Sequence, residues 1–343
     1  MAHERNRQWR EAGDGSSAVS RLILALLVVV SAGCNPREFA REHGGITRLS
    51  IATGNTGGVY YPYGGGIAKV VSETMPGVQV TAEVTAASVD NLKLIQLGKV
   101  DIAFALADTL DEAIKGRGPF AKTGAVRART LAILYPNYTH LVTVAGNGIE
   151  RISDLRGKVV STGSAGSGTE VIALRVLRAA GLDPDRDMRR QALSVNASAD
   201  ALKDDKIDAF FWSGGVPTAS VLDLASTAGL TAKLLPNDGV LPALQAEFGE
   251  ALYHRLVMPK ESYPGQDADV AVVGVQNALV VDAGMDEELA YELTRTLFAK
   301  RSELAAIHPE ARLLDPARAV AGSPADFHPG AIRYYRERGV WRP

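Results

Sequence analysis

The sequence has a single cysteine, Cys34, among 343 residues. One cysteine excludes an intrachain disulfide, a zinc site built from several thiolates and a Cys-x-x-Cys redox pair. The sequence also lacks an excess of positive charge, because 37 basic and 39 acidic residues are mixed along the chain. That balance gives no electrostatic footprint for DNA or RNA, so we expect no nucleic-acid partner.

Long apolar runs are missing as well. Leu22–Val30 holds nine apolar residues, whereas a membrane-spanning helix needs about 20. Small residues and then Cys34 follow this run, which is typical of a secretory signal with its cleavage site. The pattern resembles a bacterial lipoprotein signal, in which the cysteine is acylated. We expect a signal peptide over residues 1–33, a polar tether over residues 34–47 and a periplasmic protein anchored by lipid at Cys34; a plain signal peptide with an incidental cysteine is the alternative.

The rest of the chain alternates short apolar runs with amphipathic stretches, which favours β-α units and parallel sheets. This order occurs twice. Thr53–Gly57 resembles Thr162–Gly166, 109 positions later, and Lys99–Asp101 resembles Lys206–Asp208, 107 positions later. Nearly equal offsets indicate a repeated unit, although any α/β protein repeats strand, glycine loop and helix.

Two apolar segments rich in β-branched residues, Leu131–Val144 and Val270–Val281, lie before and after the second unit. They predict two crossings between lobes, and hence a hinged cleft. The fold class is therefore α/β with two lobes and a ligand cleft between them. We assign residues 48–138 and 250–343 to lobe 1 and residues 139–249 to lobe 2.

Several local elements are predicted from turn and capping signals. Ser88 is expected to be the N-cap of a helix that closes near Gly98. Further predictions are a strand over Gln191–Val195, a helix over Ala199–Asp204, a long helix over Met285–Ala306 and a last helix over Phe327–Trp341 that returns to the first lobe.

Each repeat places a glycine-rich loop, residues 54–60 or 163–169, between a strand and a helix. Ligands bind at such points because backbone N–H groups converge there and the helix dipole favours negative charge. Either loop alone is equally well a plain β-α connection. Together, in equivalent positions, they favour binding of a small anion such as a carboxylate.

Enzyme motifs fail in these loops. A P-loop needs Lys where Thr169 stands, a nucleophile elbow centred on Ser164 needs Gly where Thr162 stands, and the last Gly of a dinucleotide fingerprint is missing. No histidine pair has metal-ligand spacing. We therefore expect no enzyme activity, no cofactor and no metal.

The chain resembles the TAXI family of TRAP transporter solute-binding subunits over nearly all of residues 47–343. The motifs that carry the resemblance are long and in family order: Thr53–Pro62, Ser88–Leu92, Gly163–Thr169, Lys206–Phe211, Gly214–Pro217, Tyr263–Gly265 and His328–Tyr335. The resemblance implies a type II periplasmic-binding-protein fold. It also implies delivery of glutamate, glutamine or a related carboxylate to a sodium-driven membrane permease.

The resemblance also implies which residues hold the ligand. The first lobe would use Thr56, Gly57, Gly58 and Tyr60, and the second lobe Ser164, Ser167, Gly168 and Thr169, with Trp212 and Gly214 as a wall and Asp108 for a ligand amino group. Trp212 is otherwise a core residue, and Asp108 otherwise the N-cap of a helix.

One departure from the family bears on the ligand. Relatives often carry Gln and a small polar residue before the aspartate, and here Leu106 and Ala107 precede Asp108. This change favours a less polar or smaller carboxylate. A ligand-sensing subunit of a membrane receptor kinase would have the same fold and cleft, and an enzyme on the same scaffold would need a nucleophile that the motifs do not supply.

Overall fold

A computed structural model describes residues 45–342. The predicted signal peptide, Cys34 and most of the tether lie outside these residues. The tether is shorter than predicted, because Thr47 already begins the first strand. Within residues 45–342, no helix is both long and apolar enough to cross a membrane.

The first repeated unit contains three parallel strands with helices between them. Strand β1 pairs in parallel with both β2 and β3, so their order in the sheet is β2-β1-β3. The elements are β1 (Thr47–Ala52), α1 (Tyr60–Thr74), β2 (Val78–Glu83), α2 (Ser88–Gln96), β3 (Ile102–Leu106) and α3 (Ala107–Lys115).

The second unit has the same arrangement. Strand β5 pairs in parallel with β6 and β7, and the order is β6-β5-β7. The elements from the crossing onward are β4 (Ala128–Val144), β5 (Val159–Ser161), α4 (Gly168–Ala179), β6 (Arg189–Gln191), α5 (Val195–Lys203), β7 (Ala209–Gly214), α6 (Ala219–Ala225) and β8 (Ala232–Leu234).

The remaining chain crosses back and completes the first lobe. Its elements are α7 (Leu241–Phe248), β9 (His254–Met258), β10 (Val270–Asp282), α8 (Glu287–Ala299), α9 (Arg301–Ile307), α10 (Pro316–Ala319) and α11 (Pro329–Glu337). Strand β10 pairs antiparallel with β3 and β4, and β4 pairs antiparallel with β7. The sheet order β2-β1-β3-β10-β4-β7-β5-β6 confirms the α/β fold class, with two lobes joined by β4 and β10. The residue limits assigned to the lobes stay a prediction.

The repeat is also visible in individual hydrogen bonds. In the first unit, Asp101 accepts a hydrogen bond from the backbone N–H of Ser50 at 2.8 Å. In the second, Asp208 accepts one from the backbone N–H of Val159 at 2.7 Å. Both aspartates come from the aligned sequence motifs, and each ties the start of the third strand of its unit to the first strand.

Each lobe buries its own apolar core. In the first lobe, Tyr63, Phe104 and Tyr335 pack around β1 and α1 with almost no exposure. In the second, Val160 and Phe211 pack against α4. Full burial of one large apolar side chain stabilises a fold by about 1.5–3 kcal/mol. These separate cores hold the two glycine loops in fixed positions within their lobes.

The strand predicted over Gln191–Val195 is wrong in its extent. Strand β6 ends at Gln191, and α5 begins at Val195. The reason is a cap: the Ser194 side chain accepts a hydrogen bond from the backbone N–H of Ala197 at 3.2 Å. A serine in this position starts a helix, so Val195 lies on the helix while Ala192 and Leu193 lie in the loop before it.

Two further helix predictions need correction. The helix predicted over Met285–Ala306 is divided into α8 and α9, because Lys300 leaves helical geometry with ψ at 16°. Its apolar positions continue through the break, which is why the sequence resembles one helix. Ser88 is the first residue of α2 rather than its N-cap, which is Ala87.

The last helix is shorter than predicted, and its destination is confirmed. Helix α11 covers Pro329–Glu337, and the His328 side chain accepts a hydrogen bond from the N–H of Gly330 at 3.3 Å. The Tyr335 hydroxyl donates to the carbonyl oxygen of Leu131 at 2.8 Å, which ties this helix to the first-lobe end of β4.

Candidate functional site

A cavity lies between the two glycine loops. Its empty volume is about 490 Å³, which includes space open to solvent. The lining comes from both lobes and from the crossing strand β4: Gly54, Asn55, Gly58, Val59, Tyr60, Ala86, Ala87, Ser88, Leu106, Tyr135, Asn137, Gly163, Ser164, Ser167, Gly168, Thr169, Val195, Trp212, Ser213 and Gly214.

Five helices begin at this cavity. The first residues of α1, α2, α4 and α5, namely Tyr60, Ser88, Gly168 and Val195, line it, and so does Leu106, the N-cap of α3. The first N–H groups of a helix have no partner within the helix, and its dipole places partial positive charge there. The cavity therefore favours an anionic ligand although no charged side chain appears among its described lining residues.

Two hydroxyl groups, from α4 and the loop before it, add hydrogen-bond donors to these helix N-termini. Ser167 caps α4 by accepting a hydrogen bond from the Glu170 N–H at 3.0 Å. Thr169 accepts one from the Ser213 N–H at 3.2 Å. Each hydroxyl uses an acceptor lone pair in the fold and keeps its proton to donate. Both side chains are thereby oriented and remain able to bind a ligand oxygen.

The two lobes touch each other across the cleft. Three of the hydrogen bonds between the lobes involve the glycine loops: Ser164 Oγ to Asn55 Oδ1 at 3.1 Å, the Asp90 N–H to the Gly166 carbonyl at 3.1 Å, and Ser220 Oγ to the Gly57 carbonyl at 3.3 Å. These contacts hold the loops of the two lobes together in this structure.

Eight of the eleven predicted binding residues line the cavity: Gly58, Tyr60, Ser164, Ser167, Gly168, Thr169, Trp212 and Gly214. Three do not. Thr56 is exposed, and Gly57 is buried against side chains of the other lobe. Asp108 is buried outside the cavity.

Asp108 belongs to an ion-pair cluster. Its Oδ2 accepts a hydrogen bond from the Tyr253 hydroxyl at 2.8 Å and lies 3.4 Å from Nη1 of Arg175. Arg175 also pairs with Glu112, and burial raises the pKa of that carboxyl. The N-cap of α3 is Leu106, so the N-cap role considered for Asp108 is wrong. The carboxylate has protein partners and does not line the cavity.

Trp212 forms one wall of the cavity with its ring. Its Nε1 donates to Thr218 Oγ1 at 2.8 Å, so the indole N–H is already paired. Two glycines allow the ring to approach: a Cβ on Gly58 would lie 2.8 Å from Cη2 of Trp212, and a Cβ on Gly214 would lie 2.3 Å from Nε1. Any larger residue at either position would displace the wall.

Two lining residues on the crossing strand were missed by sequence reasoning. Tyr135 and Asn137 of β4 are 2% and 1% exposed, and the Tyr135 hydroxyl and Asn137 Oδ1 have no hydrogen-bond partner within the described part of the chain. By contrast, the Tyr60 hydroxyl donates to Asn277 Oδ1 at 2.5 Å. Burial raises the pKa of Tyr60 and Tyr135, so both hydroxyls stay neutral donors. The available signal was Asn137 itself, a polar residue inside an apolar run.

A buried carboxyl lies behind the cavity wall. Glu310 accepts a hydrogen bond from the backbone N–H of Val216 at 2.9 Å, in the loop after β7. Burial raises its pKa from 4.5 to about 7. No cluster of three metal-ligating side chains occurs among residues 45–342.

The family follows from a match that covers most of the chain. A model of the NMT1-like family matches residues 51–339. The chain belongs to the NMT1-like family. A solved structure from Bordetella bronchiseptica RB50 is similar, with 17% identity, a TM-score of 0.50 and coverage of 87% of this chain and 90% of that chain.

Two sulphonate-binding proteins are also similar. The periplasmic aliphatic sulphonate binding protein SsuA of Escherichia coli is 15% identical, with a TM-score of 0.43 and coverage of 87% of this chain and 84% of that one. SsuA of Xanthomonas axonopodis pv. citri, solved with MOPS bound, is 17% identical, with a TM-score of 0.46 and coverage of 87% and 81%. At these identities the likeness concerns the fold alone.

Proposed function

We propose that this protein is an extracytoplasmic solute-binding protein that captures a small organic anion between its lobes and delivers it to a membrane permease. The observation that carries the proposal is the convergence of five helix N-termini on one cavity between the lobes. Such a cavity offers N–H donors and positive dipole ends to an anion. The protein would bind and release its ligand without chemistry.

The transporter class rests on the sequence motifs. The TAXI-like motifs supply much of the cavity lining, including Gly58, Ser167 and Gly168, which supports a TRAP permease as the partner. The apolar run before Cys34 supports export and a lipid anchor at the membrane surface. Glutamate, glutamine and related carboxylates are the ligands that this resemblance implies.

Native mass spectrometry of the protein purified from its own host tests the ligand half of the proposal. We expect a bound organic anion that is lost on partial unfolding. A thermal-shift screen over carboxylates, amino acids and sulphonates should then show stabilisation, because a ligand at a hundredfold excess over Kd adds about 2.7 kcal/mol to the free energy of unfolding. Neither a co-purified anion nor any thermal shift would contradict the proposal.

Affinity capture of membrane proteins from the host tests the partner half. We expect the TRAP membrane subunits to be recovered with the ligand-loaded protein more than with the ligand-free protein. Recovery of a receptor kinase instead would replace the transport role with ligand sensing. Recovery of an ABC transporter would keep solute delivery and replace only the class of permease.

A further inference from the structure

We propose that the preferred ligand is a small carboxylate that carries a neutral hydroxyl group, and that Tyr135 and Asn137 bind this hydroxyl. The inference rests on the proposed function and specifies its ligand. Tyr135 and Asn137 stand two positions apart on β4, and both line the cavity. They form the part of the lining that the crossing strand supplies.

Both residues have an unused polar atom. Tyr135 Oη and Asn137 Oδ1 are buried and unpaired with respect to residues 45–342, while Asn137 Nδ2 donates to Ser213 Oγ at 3.2 Å. A buried polar group without a partner destabilises a protein, so such groups call for a ligand or a water. One atom is a donor and the other an acceptor, and both belong to residues that line the cavity.

A single ligand hydroxyl matches this pair. The hydroxyl can donate its proton to Asn137 Oδ1 and accept the proton of the Tyr135 hydroxyl. Two other polar side chains of the cavity already donate within the protein, the Tyr60 hydroxyl to Asn277 and the Trp212 N–H to Thr218. The unpaired atoms are therefore the ones that distinguish this ligand from a plain carboxylate.

An ammonium group fits the cavity poorly. A buried cation needs an anionic partner, and no carboxylate appears among the described lining residues. Asp108 is held by Arg175 and Tyr253, and Glu310 accepts from a backbone N–H, so neither lines the cavity. The site therefore selects a hydroxy acid over the amino acid with the same carbon skeleton.

Calorimetry with two matched series tests this selection. The first series is propionate, lactate and alanine, and the second is glutarate, 2-hydroxyglutarate and glutamate. Within each series, only the group on one carbon changes, from hydrogen to hydroxyl to ammonium. In the series that binds, we expect the hydroxy acid to bind about tenfold more tightly than either neighbour, the gain from two hydrogen bonds to neutral groups.

Three variants assign the effect to the crossing strand. Tyr135→Phe should weaken binding of the hydroxy acid about three- to tenfold and leave the unsubstituted acid unchanged. Tyr63→Phe is the matched control, because Tyr63 also has a buried, unpaired hydroxyl but does not line the cavity. Asn137→Asp should turn the preference towards the amino acid, since it supplies the missing anion.

The melting temperature of the ligand-free protein separates binding from folding. Tyr135→Phe removes only an unpaired hydroxyl, so we expect that temperature to stay at or above the wild-type value. Tighter binding of alanine or glutamate than of its hydroxy acid by the wild-type protein would overturn the inference and leave the proposed function intact. Equal effects of Tyr135→Phe and Tyr63→Phe, or no binding by either series, would also overturn it. The proposed function fails separately, by the absence of any bound anion in native mass spectrometry.

Discussion

Closure of the lobes depends on the absence of a side chain at Gly57. This glycine lies in the loop after β1 and meets α5 and α6 of the other lobe. An added Cβ would lie 2.2 Å from both Asn196 Oδ1 and Ser220 Oγ, whereas real Cβ contacts stay beyond 3.0 Å. Gly57→Ala therefore forces the lobes apart or displaces two short side chains by about 1 Å.

The expected cost falls on binding rather than on folding. Inserting a methyl group into a packed contact costs about 1–3 kcal/mol, which corresponds to about a 5- to 150-fold rise in Kd if only the closed state carries the contact. Isothermal titration with the co-purified ligand measures Kd, and small-angle scattering measures the radius of gyration. We expect a larger radius for the variant at equal ligand concentration.

Two comparisons isolate the contact. Gly65→Ala, in α1, is the matched control, because an added Cβ there meets no atom within 4 Å. The triple variant Gly57→Ala, Asn196→Ala, Ser220→Ala removes the atoms that collide and should recover much of the lost affinity. Wild-type affinity for Gly57→Ala, or no recovery in the triple variant, would refute the reasoning.

Two further predictions concern buried charges. The folded pKa of Glu310, about 7, lies above its ordinary 4.5, so its contribution to stability is complete below pH 4.5 and is lost as pH rises to about 7. Urea unfolding should show that Glu310→Gln gains up to about 3 kcal/mol over wild type at pH 8 but not at pH 4.5; a pH-independent difference would contradict this. The comparison with wild type cancels His140, whose lowered pKa acts in the opposite direction as pH falls. Asp108→Ala should lower the free energy of unfolding by about 3 kcal/mol, since it leaves Arg175 short of a buried partner, and unchanged stability with lost affinity would instead make Asp108 a ligand contact.

The repeat and the cleft could be predicted because their signals are local. The aligned aspartates Asp101 and Asp208 each bond to the first strand of their own unit, so similar sequence produces the same arrangement twice. The glycine loops are local as well, and for this reason most of the predicted site residues line one cavity.

The site residues that were wrongly predicted or missed depend on pairings between distant parts of the chain. Asp108 was predicted to contact the ligand because it follows the end of a strand. Its actual partners, Arg175 and Tyr253, lie 67 and 145 positions away. The Tyr60 hydroxyl is paired with Asn277, 217 positions away. Periodicity does not encode such contacts. Tyr135 lies in a run of apolar residues whose pattern predicted only a crossing between lobes.

The crossing strand β4 has a further consequence through Pro136. This proline faces Gln276 of β10, beside a shift in the pairing of the two strands, and it has no N–H to donate to the ladder. Strand β4 therefore lacks one backbone donor beside the shift in its pairing with β10. Its neighbours on both sides, Tyr135 and Asn137, line the cavity. The irregular point in the pairing of β4 with β10 therefore lies beside the cavity. A solute in this cavity would therefore contact the strand that joins the two lobes, beside the irregularity in its pairing.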